Sequence, residues 1–228
     1  MLHAKPDVIC LQEAKVDAIH FNAVRGWLRP LGYTGAHPGG KDLLMFWPRG
    51  VNIVPFRQDN PHVFQAAIQL STGRALLRTL HAPSGWTAQI KEDRAQLMDD
   101  LACVPDVPNI IDIGDFNDVI ESAGGLTAIL PSQGTFRKQA DACMPWGDRA
   151  IDAARVSPSL GHVHIECLGD FVSTQHCPIL LRIACRAVVD SDLFWSKQIT
   201  VEDRWTDELR LAFDDARLTH DTDRAWAI

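Results

Sequence analysis

No apolar run in this 228-residue chain approaches the ~18–20 residues of a membrane span. Its start, MLHAKPDVICLQEAK, lacks the basic n-region, apolar stretch and small-residue cleavage site of a secretory signal. Neither a membrane partner nor a secreted protein is expected. Positive charge is scarce as well: 22 Lys and Arg stand against 29 Asp and Glu, for a net charge of −7. That balance argues against a protein that holds nucleic acid by bulk electrostatics. It leaves room for a nuclease with a locally basic groove, or with a bound cation that supplies the positive charge. The six cysteines (Cys10, Cys103, Cys143, Cys167, Cys177 and Cys185) include no CxxC pair and sit among apolar neighbours. They read as buried thiols of an intracellular, reducing compartment rather than a disulfide framework. Internal repeats and low-complexity tracts are also missing. What is present is an ordinary globular composition, 46% hydrophobic and 22% charged, enough to build a full core.

Two regimes divide the chain. Residues 1–188 alternate short apolar runs with a few helical stretches. Residues 189–228 read as a charged linker and an amphipathic helix carrying Trp205, Leu209, Ala212, Phe213 and Ala216. In the first regime, Asp7–Leu11, Leu43–Trp47, Val51–Val54, Phe64–Leu70, Ala75–His81, Asn109–Gly114, Ile151–Val156 and Pro178–Ala187 are predicted strands, with a hairpin turn at Ser71–Gly73. Asp17 is the expected N-cap of a helix whose apolar positions are Ile19, Ala23, Val24, Trp27, Leu28 and Leu31, stopped by Gly32. A second helix fits Gln89–Val104, with Ile90, Leu97, Met98 and Leu101 on one face. Hairpins interrupted by single helices favour a mixed-sheet α/β sandwich over a doubly wound parallel sheet.

Polar clusters follow three of these strands: Gln12-Glu13-Ala14-Lys15, Asp115-Phe116-Asn117-Asp118, and Asp152 together with Ser173-Thr174-Gln175-His176-Cys177-Pro178. Each has an ordinary structural explanation. A strand-end Glu is usually a solvated loop carboxylate, GDFND can form an Asx turn, and a His before Cys-Pro is commonly a hydrogen-bonded core imidazole. Together they suit phosphodiester hydrolysis, which needs a hard cation on oxygen ligands, a positioned water and donors for the charge developing on phosphorus.

In order along the chain, PDVICLQEAK, LHAPSG, IDIGDFND, RAIDAARVSP and STQHCPI resemble the successive motifs of the endonuclease/exonuclease/phosphatase superfamily. The resemblance is strongest to its apurinic/apyrimidinic-endonuclease-like branch. Lys15 and the HCPI ending are similar to the endonuclease domain of LINE-type (non-LTR) retrotransposons. The resemblance implies a four-layer sandwich of two mixed β-sheets flanked by helices, spanning residues 1–188, and a metal-dependent DNA endonuclease that nicks by water attack. Glu13 would be the principal Mg²⁺ ligand, with Mn²⁺ as a substitute. Asp115 would orient or deprotonate the water, and Asn117 would hold that water or a phosphate oxygen. His176 would contact the scissile phosphate, Asp152 would fix its tautomer, and His81 would assist proton transfer near the leaving group. The implied partners are DNA and a downstream reverse transcriptase in a longer polyprotein, in the nucleus if the target is chromosomal.

Three departures from the family pattern stand out. The expected first strand and its metal-site Asn are missing upstream of the LQE element. Gln175 occupies the place of an Asp before His176, and Ala150 that of a polar residue, with Arg149 one step too early. These departures carry the expectation of an impaired enzyme. The alternatives are an inactive nucleic-acid-binding or structural remnant, with Trp86 or Trp146 stacking on bases, and a phosphatase of the same fold. A zinc site from His162, His164, Cys167, His176 and Cys177 matches no standard spacing.

Overall fold

The LLMFW run at Leu43–Trp47 is apolar at every position because both of its faces are covered. Leu44 and Phe46 face one cluster and Leu43, Met45 and Trp47 another, as the two-residue period of a strand requires. This protein's structure, a computed structural model, describes residues 6–37, 42–56, 60–102, 107, 109–138, 146–168 and 175–184. The tail expected over 189–228 and the cysteines Cys103, Cys143 and Cys185 lie outside the described residues.

A first, antiparallel sheet has the order β1 (Ile9–Leu11), β3 (Leu44–Pro48), β2 (Tyr33–Ala36). A second, mixed sheet runs β4 (Ile53–Pro55), β5 (Val63–Leu70), β6 (Gly73–His81), β7 (Ile110–Asp115), β9 (Asp152–Val156), β8 (Thr127–Ile129). An antiparallel pair, β10 (Val163–Cys167) and β11 (Ile179–Ile183), completes the described strands. Helix α1 (Ala18–Leu28) covers the first sheet, with Phe21, Val24 and Leu28 packed on Ile9, Leu44 and Phe46. Helix α2 (Ala88–Ala102) covers the second, with Leu97 and Leu101 against Val63, Leu80 and Ala153. Each such leucine contributes about 2 kcal/mol of burial. Between the sheets, Met45 and Trp47 meet Phe64, Ile68, Leu77 and Ile111. The result is a four-layer sandwich, helix on sheet on sheet on helix.

Helix α2 is the crossover between parallel strands β6 and β7, the connection a parallel pair demands. It places the C-terminal ends of β6 and β7 side by side. Gly114 allows their close approach, since a Cβ there would lie 2.1 Å from the Leu80 carbonyl oxygen. The buried Asp112 within β7 is neutralised by its register neighbours on both sides. It accepts from Arg78 Nε at 2.6 Å and from Arg155 at 3.2 Å, which is how a strand interior tolerates a carboxylate.

Beside the six-stranded mixed sheet, the second layer is seen among the described residues as two antiparallel pieces, in which β1 pairs with β3 and β11 with β10. Both edges line a groove of about 660 Å³ along which Val8, Cys10, Leu181 and Ile183 are half-buried. On α1, Asp17 caps as expected, accepting from the His20 N–H at 2.9 Å, while the helix runs past Leu28 into a 3₁₀ turn over Arg29–Leu31 that Gly32 closes at φ 86°. Trp27 and Leu31, however, are exposed, because Phe21, absent from the expected apolar set, takes the central packing position.

Candidate active site

Register alone assembles the first part of the site. His81 ends β6, Asp115 ends β7 and Asp152 begins β9. The pairing aligns His81 with Asp115 and Asp115 with Asp152, so three polar side chains share one face of three adjacent strands. Two loops bring the rest. The turn after β1 delivers Glu13, whose Oε1 lies 3.5 Å from His81 Nε2, and the segment before β11 delivers His176. The His176 Nδ1 is 3.0 Å from Asp152 Oδ2 and 3.9 Å from Asp115 Oδ2. One ligand atom each from Asp115, Asp152 and His176 lie within 4.8 Å of one another. The tight cluster therefore excludes Glu13, which stands across His81 from it.

Backbone strain concentrates at the same place. Among the described residues, the non-glycine residues with positive φ are Glu13 (49°), Lys15 (49°) and Asn117 (52°), all in the strand-end clusters. Each costs about 1 kcal/mol or more, and such costs persist where surrounding contacts over-determine the conformation. At Glu13 the contact is Gln12, whose Nε2 donates to Thr79 Oγ1 on β6 at 2.8 Å and clips the first sheet to the second. Around Asn117, the backbone N–H donates to Asp115 Oδ1 at 2.7 Å, an Asx turn. The Asn117 Nδ2 donates to the Ala82 carbonyl at 2.7 Å and to Asp115 Oδ2 at 3.2 Å. Both amide protons are thus spent on positioning the loops, and Oδ1 is the atom that can serve a substrate.

The electrostatics separate the two imidazoles. Burial lowers the pKa of His81, and Glu13 and Asp42 oppose that effect only in part. His176 is buried too, yet the Asp152 hydrogen bond and the charges of Asp152, Asp115 and Glu13 outweigh desolvation and raise its pKa. The Asp115 carboxyl is pushed up to about 7, first by burial and then by the neighbouring Asp152 charge, with His176 acting against both. So His81 is held neutral, His176 is disposed to carry a proton, and Asp115 titrates near neutrality.

Carboxylates crowded this closely suit a hard divalent cation, which takes oxygen ligands and relieves their repulsion. The buried His81 Nε2, which makes no hydrogen bond, faces the same space between Glu13 and Asp115. The residues present fit such an ion. Among the described residues, His162, His164, Cys167 and Cys177 contribute to no ligand cluster. Cys177 is buried, and Cys10 is inert, its thiol pushed up to about 12 by burial.

Gln175, expected beside the metal site, is exposed and donates from Nε2 to the Lys138 carbonyl at 2.6 Å. Arg149 does not replace Ala150: it pairs with Asp118 Oδ1 at 2.6 Å. Trp146 is half-buried with the Arg137 guanidinium 4.4 Å from its ring centre, whereas Trp86 is exposed. Ser173 and Thr174 lie outside the described residues.

Thr135 gave no sequence signal, yet it ties the two halves of the His176–Asp152 pair together. Its fully buried hydroxyl accepts the Asp152 N–H at 2.9 Å and the Ile151 N–H at 3.0 Å, while its carbonyl accepts the Cys177 N–H at 2.7 Å.

No protein-family model matches the chain, and no curated protein matches it significantly. Its fold matches solved structures. A humanized D. rerio TDP2 carrying 14 mutations aligns at a TM-score of 0.56 and 16% identity, over 78% of this chain and 85% of that one. An AP endonuclease from Archaeoglobus fulgidus aligns at 0.54 and 14%, over 80% and 90%. A 3′-5′ exonuclease from Neisseria meningitidis aligns at 0.52 and 18%, over 78% and 89%.

Proposed function

We propose that the chain is a metal-dependent phosphodiesterase acting on DNA, with Asp115, Asn117, Asp152, His176 and His81 as its working side chains and Glu13 as the principal ligand of Mg²⁺. The observation that carries this reading is the register of His81, Asp115 and Asp152 across three strands, closed by His176. The names of the solved neighbours, nucleases among them, support it at the level of fold.

When bound, the cation would polarise a phosphate oxygen and offset its charge. Every proton is handled by the chain's own groups. Asp115, titrating near neutrality, takes the proton of the attacking water, because a base works best with a pKa near the operating pH. Asn117 Oδ1 accepts from the same water and fixes its approach. Its two amide protons go to the Ala82 carbonyl and Asp115 Oδ2, which favours the water over a phosphate oxygen as its partner. His176 donates Nδ1–H to Asp152, which sets the tautomer, so the phosphate is served from Nε2. Its raised pKa suits a protonated imidazole beside the charge developing on phosphorus. The neutral His81 relays protons at the leaving-group side.

The narrower reading, an endonuclease of LINE-type retrotransposons linked to a reverse transcriptase, is carried by Lys15 and the HCPI motif alone. Nicking of supercoiled plasmid and of a duplex with one abasic site, with and without Mg²⁺, tests the proposal. Asp115→Ala and His176→Ala are each expected to abolish the activity.

A further inference from the structure

Trp86 is 68% exposed, although an indole is the side chain that gains most from burial. Its place in the chain does not account for this. Thr87 caps α2, accepting the Ile90 N–H on its hydroxyl and the Lys91 N–H on its carbonyl. Trp86 therefore stands just outside the cap, where an apolar residue normally staples to the fourth helical position. That position is Lys91, which offers no apolar partner.

The loop that presents Trp86 is nevertheless rigidly held. Arg94 of α2, itself 6% exposed, donates to the Pro83 carbonyl from Nε at 3.0 Å and from a terminal nitrogen at 2.8 Å. It also donates to the Gly85 carbonyl at 3.0 Å. Gly85 sits so close to α2 that a Cβ would meet Ile90 Cδ1 at 2.7 Å. The remaining Arg94 nitrogen lies 3.5 Å from Asp118 Oδ2, and Asp118 Oδ1 holds Arg149 at 2.6 Å. Arg149 in turn places its guanidinium 5.2 Å from the Trp86 ring centre. This chain of contacts leads back to the candidate site, because Asp118 follows Asn117 and Asn117 is bonded to Ala82 at the root of the Trp86 loop. A buried arginine has been spent on fixing an exposed ring.

We propose that Trp86 and Arg149 form a platform for an unpaired nucleobase next to the cleaved phosphate. An open aromatic face beside a guanidinium matches a nucleotide, which offers a flat ring and an anion within one unit. A sugar phosphate lacks the ring, and a base inside a duplex has its faces covered by its neighbours. The proposal rests on the phosphodiesterase reading for the identity of the site, but its test does not depend on turnover.

Binding of a short oligothymidylate and of a tetrahydrofuran–phosphate backbone of equal length, which has no bases, is measured by fluorescence anisotropy. The wild type is expected to prefer the base-bearing strand. Trp86→Ala should weaken that binding about five- to a hundredfold and leave the baseless strand unchanged, while Trp86→Phe restores most of the loss. Melting temperatures should match, since the ring supports no core. Equal binding of both strands by wild type and Trp86→Ala overturns the platform. Nicking of supercoiled plasmid in Mg²⁺ by the same proteins separates the two ideas. Discrimination that depends on Trp86 but without cleavage by the wild type defeats the phosphodiesterase reading and sustains the platform. Cleavage that is indifferent to Trp86 defeats the platform alone.

Discussion

His81 Nε2, buried and without a hydrogen bond, lies 3.5 Å from Glu13 Oε1. One residue closes β6 and the other leaves the first sheet, so this contact is where the two sheets share the site. A neutral imidazole beside a carboxylate leaves that charge uncompensated. Glu13→Gln, which keeps the shape, is expected to weaken divalent-cation binding by about tenfold or more. Titration with Mn²⁺ followed by electron paramagnetic resonance measures it directly.

Asp115 couples the site to folding stability. An unfolded Asp titrates near ~3.9, and this one titrates at about 7. Between those values the folded state binds more protons than the unfolded, so stability falls as pH rises from about 4 to about 7 and is level above. In the presence of chelator, Asp115→Asn should remove that slope. It should be on the order of 4 kcal/mol more stable than wild type at about pH 8, with no gain at about pH 4. Urea unfolding across that range reads the difference, and unchanged slopes would show that the carboxyl is not protonated in the fold.

Thr135→Val keeps the volume and removes the acceptor for the Ile151 and Asp152 N–H groups. Leaving two buried donors unmet should cost about 2 kcal/mol. Because Asp152 orients His176, the pH profile of hydrolysis should shift as well, whereas Thr135→Ser should restore both.

Gln175→Asp trades the bond to the Lys138 carbonyl for a carboxylate one residue from His176. Activity is expected to rise, or the Mg²⁺ needed for half-maximal rate to fall, in plasmid-nicking titrations. No change in either would mean that position 175 lies outside the reach of the cation.

Much of the sandwich was legible because its signals are local. DVICL, NIIDIG and the hairpin around Ser71–Gly73 announce strands by apolar runs and turn residues, and Asp17 and Gly32 bound α1 together with the 3₁₀ turn that follows it, through backbone chemistry that any helix shares. Strands β2, β8 and β10 gave no such signal. YTGA is short and contains Gly35, which is needed against the Phe46 ring, and VHIEC mixes polar with apolar positions. Trp27 misled because periodicity identifies a face without saying which of its members touches the sheet. Glu13, Asp115, Asn117, Asp152, His176 and His81 are the candidates that motifs name, and the structure places Asp115, Asp152 and His176 in one cluster with His81 and Asn117 beside Asp115 and Glu13 beside His81. That Asp115, Asp152 and His176 would cluster apart from Glu13 depends on cross-strand register and loop paths, which a linear pattern does not encode. Thr135 and Arg94 act through main-chain partners distant in sequence, and a hydroxyl or guanidinium in a loop or helix carries no mark of that.

The most direct measurement is the rate of supercoiled plasmid nicking at fixed Mg²⁺ by the wild type, Asp115→Ala and His176→Ala, each repeated in chelator. Convergence of these residues on one phosphate predicts nicking by the wild type that needs the cation and is lost in both variants. Nicking that survives either substitution, or that proceeds in chelator, would contradict it.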